Sequence, residues 1–247
     1  GSGFVAHHGD DFMLANNAQW IGFSVEIGPE GGLYVLDWHD ADICGKEVIN
    51  KDTGRVFRIT PKDSAAEDFP NRYDDLDTLP DGILVGFQTS ESSWHARRAR
   101  VVLQKRAHKS ELSQETHKQL WELFNQSDNG DHKLRALWCL HVTQGLNELK
   151  LLPMLKHQDP YVRAWAIQIL TEDHSPSMTA IVAFTRMAAS DSSPVVRLYL
   201  AAALQRIPED SRWALIQALV QHGDDNDDHN IPKMIWFATE PLVAKDP

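Results

Sequence analysis

Two kinds of hydrophobic pattern divide the chain. Between residues 22 and 60, apolar and polar positions alternate in short runs. Phe23–Ile27 and Leu33–Asp37 flank a glycine-rich stretch, Gly28–Gly32, and a polar loop over 38–53 leads to a third alternating run at 54–59. Alternation with a period of two turns one face of a strand inward, and the glycines and proline between the first two runs set a hairpin. Residues 1–60 are therefore expected to hold a small antiparallel β segment. Residues 61–80 (PKDSAAEDFPNRYDDLDTLP) read as an acidic linker without a period. From Pro80 onward the apolar spacing turns helical. It predicts helix pairs at 81–89 with 93–107, 113–126 with 131–143, 147–157 with 160–171, 177–189 with 194–206, and 210–222 with 230–245. Residues 81–247 thus read as a helical repeat domain.

A phrase recurs within these pairs. The second helix opens with an arginine and runs on in alanine, leucine and aromatic residues. It reads HARRARVVL at 95–103, HKLRALWCL at 132–140, PYVRAWAIQIL at 160–170 and PVVRLYLAAAL at 194–204. The arginines are Arg97, Arg135, Arg163 and Arg197, spaced 38, 28 and 34 residues apart. A period of this size in helical sequence predicts a stacked-helix solenoid, here mainly α and of about five pairs. A first-turn arginine in such a stack is expected to staple repeats by bonding to a carbonyl or carboxylate of the preceding one, with Asp159 and Asp191 nearby. The alternative use, an arginine groove for an anionic partner, fits less well. Trp121, Trp138, Trp165, Trp213 and Trp236 recur at helical spacing and are expected in packing between repeats. Pro160 and Pro194 fall on first helical turns, where a missing N–H costs nothing. Pro241 is expected to stop or kink the last helix.

Composition narrows the picture. With 247 residues, 42% hydrophobic and 24% charged, the chain can bury one large core or two modest ones. A net charge of −11 argues against a general nucleic-acid binder. The basic stretch Arg97, Arg98, Arg100, Lys105 and Arg106 alternates with apolar residues and reads as a solvated helix face. No apolar run approaches the roughly 18 residues of a membrane-spanning helix. The opening GSGFVAHHGDD does not read as a signal peptide, and it suits a piece of a longer chain. Of the two cysteines, Cys139 lies in an apolar helix and Cys44 in a loop, and no CxxC or CxxCH spacing supports zinc or covalently attached haem.

The loop Asp37-Trp38-His39-Asp40-Ala41-Asp42-Ile43-Cys44 concentrates the chemistry-bearing residues. Asp37, Asp40 and Asp42 are hard ligands that suit calcium, and His39 could serve as a general base. In the structural alternative, Asp37 and Asp40 cap turns and Trp38 packs against a neighbour. His7, His8, Asp10 and Asp11 form a second polar cluster, either a divalent-metal site or simply a loop. Asp224–His229 lacks the glycine and distal glutamate of an EF-hand and is expected to cap the helix that follows. No GxSxG, P-loop, GxGxxG or HExxH is present.

The phrases VEIGPEGGLYVLDWHD and TGRVFRIT resemble the closing blade of a large bacterial family of membrane-bound dehydrogenases. That family's β-propeller is similar to the propeller of pyrroloquinoline-quinone-dependent sugar dehydrogenases. LRALWCLHVTQGL, HQDPYVRAWAIQIL and HNIPKMIWFATEPL look like the HEAT-like repeats that follow it. The resemblance implies a periplasmic or secreted parent with a propeller, helical repeats and often a cytochrome c domain, using pyrroloquinoline quinone and calcium. This chain carries about one blade and no CxxCH. The resemblance therefore implies a structural and docking portion that is itself non-catalytic. Its partners would be proteins or other domains of the same polypeptide, with no nucleic acid and no membrane span. The alternative is a stand-alone HEAT-like interaction scaffold with no redox role.

Overall fold

The computed structural model describes residues 1–11, 13–14, 20–38, 53–60, 69–243 and 245. It is mainly helical, with ten α-helices among the described residues and one three-stranded antiparallel sheet near the N-terminus. The chain divides into two compact units, His8–Glu122 and Gly1–His7 together with Leu123–Pro247.

The first unit begins with the sheet. Strands β1 (Gly22–Ile27), β2 (Leu33–Asp37) and β3 (Arg55–Ile59) pair in that order, with Val25 opposite Val35 and Val35 opposite Phe57. The turn between β1 and β2 closes through Gly31 N–H to the Gly28 carbonyl at 3.0 Å, and Gly31 sits at φ 80°, where a side chain would be strained. Val35 is the buried centre of the sheet, while Phe23, Val25, Ile27, Leu36 and Val56 remain exposed. Helices α1 (Asp81–Gly86), α2 (Ser93–His108) and the first half of α3 (Thr116–Gln126) complete the unit. Their core is Leu84, Val85, Phe87, Ala96, Ala99, Leu103 and Leu120.

The stretch expected to be a featureless linker is partly core. Residues 61–68 lie outside the described residues, but Leu76 and Leu79 are buried, and the Phe69 ring meets the rings of Phe87 at 6.0 Å and His95 at 4.9 Å. Arg72 is buried and donates to the Pro29 carbonyl at 3.1 Å. The spacing of 69, 72, 76 and 79 is helical, but Pro70, Pro80 and the aspartates between them break the stretch into turns, so no amphipathic helix marks these anchors.

The second unit is a stack. It holds α4 (Gly130–Val142), α5 (Glu148–Leu151, continuing as a 3-10 turn to Lys156), α6 (Pro160–Leu170), α7 (Met178–Ser190), α8 (Pro194–Ala203), α9 (Trp213–Leu219) and α10 (Ile231–Val243). Most starts are capped by side chains. Asn129 accepts from the Asp131 amide at 2.8 Å, Asp159 from Tyr161 at 2.8 Å and Ser177 from Ala180 at 3.1 Å. Helix α6 packs on α8 and α8 on α10, while α7 packs on α9. Second helices thus stack on second helices and first on first, as a solenoid requires. Alanines at 164, 166, 188, 201 and 238 are buried at these contacts and let the helices approach closely. Helix α4 ends in a Schellman turn. Gly145 N–H reaches the Leu140 carbonyl at 2.7 Å, and Gln144 takes the left-handed position at φ 62° that glycine usually fills. Pro241 does not stop α10, which runs on to Val243. So close to the end, the ring forfeits one hydrogen bond of the last turn and leaves the earlier ladder intact.

Candidate functional site

The repeat arginines of α6 and α8 form one continuous rivet line. Arg163 donates through Nε and Nη2 to the Asp191 carboxylate, both at 2.8 Å, and through Nη1 to the His157 and Gln158 carbonyls at 2.8 and 3.0 Å. Arg197 repeats the set. It donates to the Asp225 carboxylate at 2.6 and 2.7 Å and to the Asp191 carbonyl at 2.9 Å. Asp191 therefore serves both neighbours, its side chain taking Arg163 and its backbone taking Arg197. The carbonyls come from the preceding turn, whereas the carboxylates come from the turn that follows, opposite to the expected direction. Asp159 takes no part in it; its side chain caps α6. The Arg197 and Asp225 side chains are only 7% and 8% exposed. The bidentate Asp225 pairing holds the Arg197 guanidinium above its ordinary pKa against the opposing effect of burial.

Arg97 departs from this set. Arg135 is half-buried on α4. Arg97 is exposed on α2, and no hydrogen bond or ion pair holds its guanidinium among the described residues, so the staple role expected of it is not made there. Arg106, nine residues on and half-buried, makes the ion pair with a buried carboxylate in that region. It donates to Asp81 at 2.5 Å and to the carbonyls of Asp77 and Leu79, each at 2.8 Å. Asp81 also accepts from the Ser113 amide at 2.7 Å and the Thr116 hydroxyl at 2.9 Å. Burial pushes the Asp81 carboxyl up, but these donors outweigh it and hold the group below its ordinary value.

His95, missed in the sequence, is fully buried at the start of α2. Its Nε2–H donates to the Arg72 carbonyl at 2.8 Å, which leaves Nδ1 to accept from the Ser92 hydroxyl at 2.7 Å. Burial lowers its pKa and favours this neutral form. Only its position three residues after Ser92, the N-cap, hinted at this role.

On the second helices, aromatic rings form a row. Trp138 of α4 meets Trp165 of α6 edge-on at 5.1 Å, and Trp165 meets Tyr199 of α8 at 6.4 Å. All three are half-buried, and Tyr161, one turn before Trp165, is exposed. A groove of about 580 Å³ also opens between α7 and α9, lined by Met178, Ile181, Val182, Trp213 and Ala214, with Arg186 and Asp210 at its rim.

Asp37 is the one described carboxylate of the 37–44 loop; His39, Asp40, Asp42 and Cys44 lie outside the described residues. Asp37 is buried in β2, where it accepts from the Ile21 amide at 2.9 Å and from Arg55 Nε at 2.7 Å. These donors satisfy a carboxylate as a structural tie and compete with any cation. Among the described residues no three His, Cys, Asp or Glu side chains converge as metal ligands would, His7, His8, Asp10 and Asp11 included. In the 224–229 loop, Asp225 answers Arg197. Asp228 accepts from the Asn230 and Ile231 amides ahead of α10, both at 3.0 Å, and from the Ser2 amide at 2.5 Å. Burial raises the Asp228 pKa, yet the amides hold it well below the usual carboxylate range. Cys139 is fully buried in α4.

A family model of HEAT repeats matches residues 148–231, from α5 to the first residue of α10. No curated protein and no solved structure matches the chain. Among the described residues, no helix is long and apolar enough to cross a membrane.

Proposed function

We propose that this chain is a protein-interaction scaffold whose working surface is the row of second helices, with no catalytic step of its own. The observation that carries this reading is the HEAT-repeat match at 148–231, coinciding with the helices riveted by Arg163 and Arg197. Repeats fixed at intervals hold side chains at regular spacing along a rigid face, and such faces bind extended partners. Trp165, Tyr199 and Tyr161 supply broad, stiff contact area of the kind that anchors protein interfaces. The test places a photo-crosslinking residue at Tyr161 in one variant and at exposed Lys156 in another. A discrete protein adduct at 161 and none at 156 supports the scaffold reading; equal or absent crosslinking at both overturns it.

A second, finer reading is favoured by a separate observation. The sheet exposes Phe23, Val25, Ile27 and Val56 at 44–64%. A three-stranded sheet with so much apolar surface in water is marginal alone. In this reading the sheet is one blade of a larger propeller, and the chain is the docking portion of a periplasmic quinoprotein dehydrogenase-like parent. Pyrroloquinoline quinone and calcium belong to that parent. The described residues offer no ligand set for calcium, so no step through either group follows for this chain. Amide exchange decides the matter. Linking further blades ahead of residue 1 should slow exchange in β1 by tenfold or more in this reading, and unchanged exchange sinks it.

A further inference from the structure

Helix α10 carries its exposed residues in an unusual order. Ile231, Ala238 and Leu242 are buried on one side. On the opposite side Trp236 is 56% and Phe237 53% exposed. Lys233 and Glu240 are exposed as well, and neither has a salt bridge or side-chain hydrogen bond among the described residues. At about 100° per residue, Lys233 and Glu240 fall on the same line down the helix, two turns and roughly 10 Å apart, with the two aromatic rings between them on either flank. The order is Lys233, Trp236, Phe237, Glu240. It is symmetric about the 236–237 bond in position and antisymmetric in charge.

A helix face of this kind complements itself. Turned end for end and laid against its own copy, it sets Lys233 beside Glu240 at both ends and aromatic rings against aromatic rings in the middle. A parallel copy would instead oppose lysine to lysine and glutamate to glutamate. We propose that α10 pairs antiparallel with α10 of a second copy of this chain, across a two-fold axis passing between Trp236 and Phe237. Such a contact is isologous, each patch meeting itself. The charge order names this occupant, because an unrelated apolar partner would have no use for opposite charges at equal distances from the centre. Two tryptophans and two phenylalanines, each about half exposed, would bury on the order of 500 Å². A stable dimer buries ~1,200 Å² or more, so the pairing is weak and reversible.

The test is sedimentation equilibrium of the 247-residue chain from micromolar to low millimolar concentration. The expected result is a monomer–dimer equilibrium. Lys233→Glu opposes like charges at both ends and should weaken it about tenfold or more, and Glu240→Lys should do the same. The double variant restores the order with reversed polarity and should recover the wild-type constant. Trp236→Ser should weaken association without altering circular dichroism, since the ring does not contribute to the buried core. A monomer at every concentration overturns the proposal. So does a dimer indifferent to Lys233→Glu and Trp236→Ser, which would place the contact elsewhere. Failure of the double variant to recover overturns the antiparallel arrangement, and with it the proposal.

Discussion

Arg163 and Arg197, 34 residues apart, hold their repeats with the same kind of bonds, a bidentate carboxylate and carbonyl oxygen from the preceding turn, whereas the half-buried Arg106 pairs with Asp81 once and follows no period. Both solutions desolvate a guanidinium and a carboxylate and satisfy both with extra donors and acceptors. What differs is how the partners are supplied. In the stack, the turn holding Asp191 gives its carboxylate backward to Arg163 and its carbonyl forward to Arg197, so one turn links two successive arginines. In the first unit, Asp81 gathers Arg106, Ser113 and Thr116 from scattered positions, and His95 ties α2 to the Arg72 carbonyl. Periodic structure needs one local rule repeated; the irregular unit needs a separate solution for each element.

The sharpest break in the comparison should come from Arg197→Ala. Removing one partner of a buried bidentate pair leaves Asp225 uncompensated and should cost about 3–5 kcal/mol. Denaturant melts should show the loss, and amide exchange should localise it to α8–α10. A loss under about 1 kcal/mol would mean the rivets are ornamental. Asp81→Ala should cost about 3 kcal/mol, confined to α1, α2 and the start of α3. Exchange that rose equally in α6–α10 would blur the distinction between the units.

Next comes pH. The folded pKa of His95 lies below its unfolded value, so its contribution is fully present above about pH 6.5 and is lost as pH falls through that value toward the folded pKa. Acidification from pH 7 to 5 should therefore loosen the packing around α2, as read by its amide exchange, and His95→Gln should remove that pH dependence. Asp81 adds to this only at lower pH. Its depressed carboxyl keeps its contribution above about pH 4 and loses it below. The smallest effect is expected at Arg97→Ala, within about 0.5 kcal/mol of wild type, because the guanidinium is exposed. A cost near that of Arg197→Ala would restore the uniform staple that the spacing suggested.

Much of the helical architecture was legible. The predicted second helices at 160–171 and 194–206 match α6 and α8 with the 3-10 turn that extends α8, since proline at the first turn and unbroken apolar spacing mark both ends. The three strands fall where the alternation put them. The partners of the arginines were harder to read. Asp191 and Asp225 each follow an arginine by 28 residues, and this second period was available in the sequence but sits in turns, where spacing is usually arbitrary. Phe69, Arg72 and His95 left no periodic trace, because they meet through tertiary contacts across a 3-10 turn. At Asp37, composition pointed to chemistry. The fold buries that carboxylate against a cross-strand arginine instead, a pairing set by the β2–β3 register that Asp37 and Arg55 share.

The sequence by itself determined where the helices and strands lie, that the helices repeat, and which arginines open the second helices. Those are consequences of local spacing, capping and proline placement, which act over a few residues. The tertiary structure alone decided which carboxylate each arginine meets, that Arg97 stays in solvent while Arg106 is half-buried on Asp81, and that Trp236 and Phe237 face outward between Lys233 and Glu240. Each depends on which surfaces the packing covers, a property of the assembled fold.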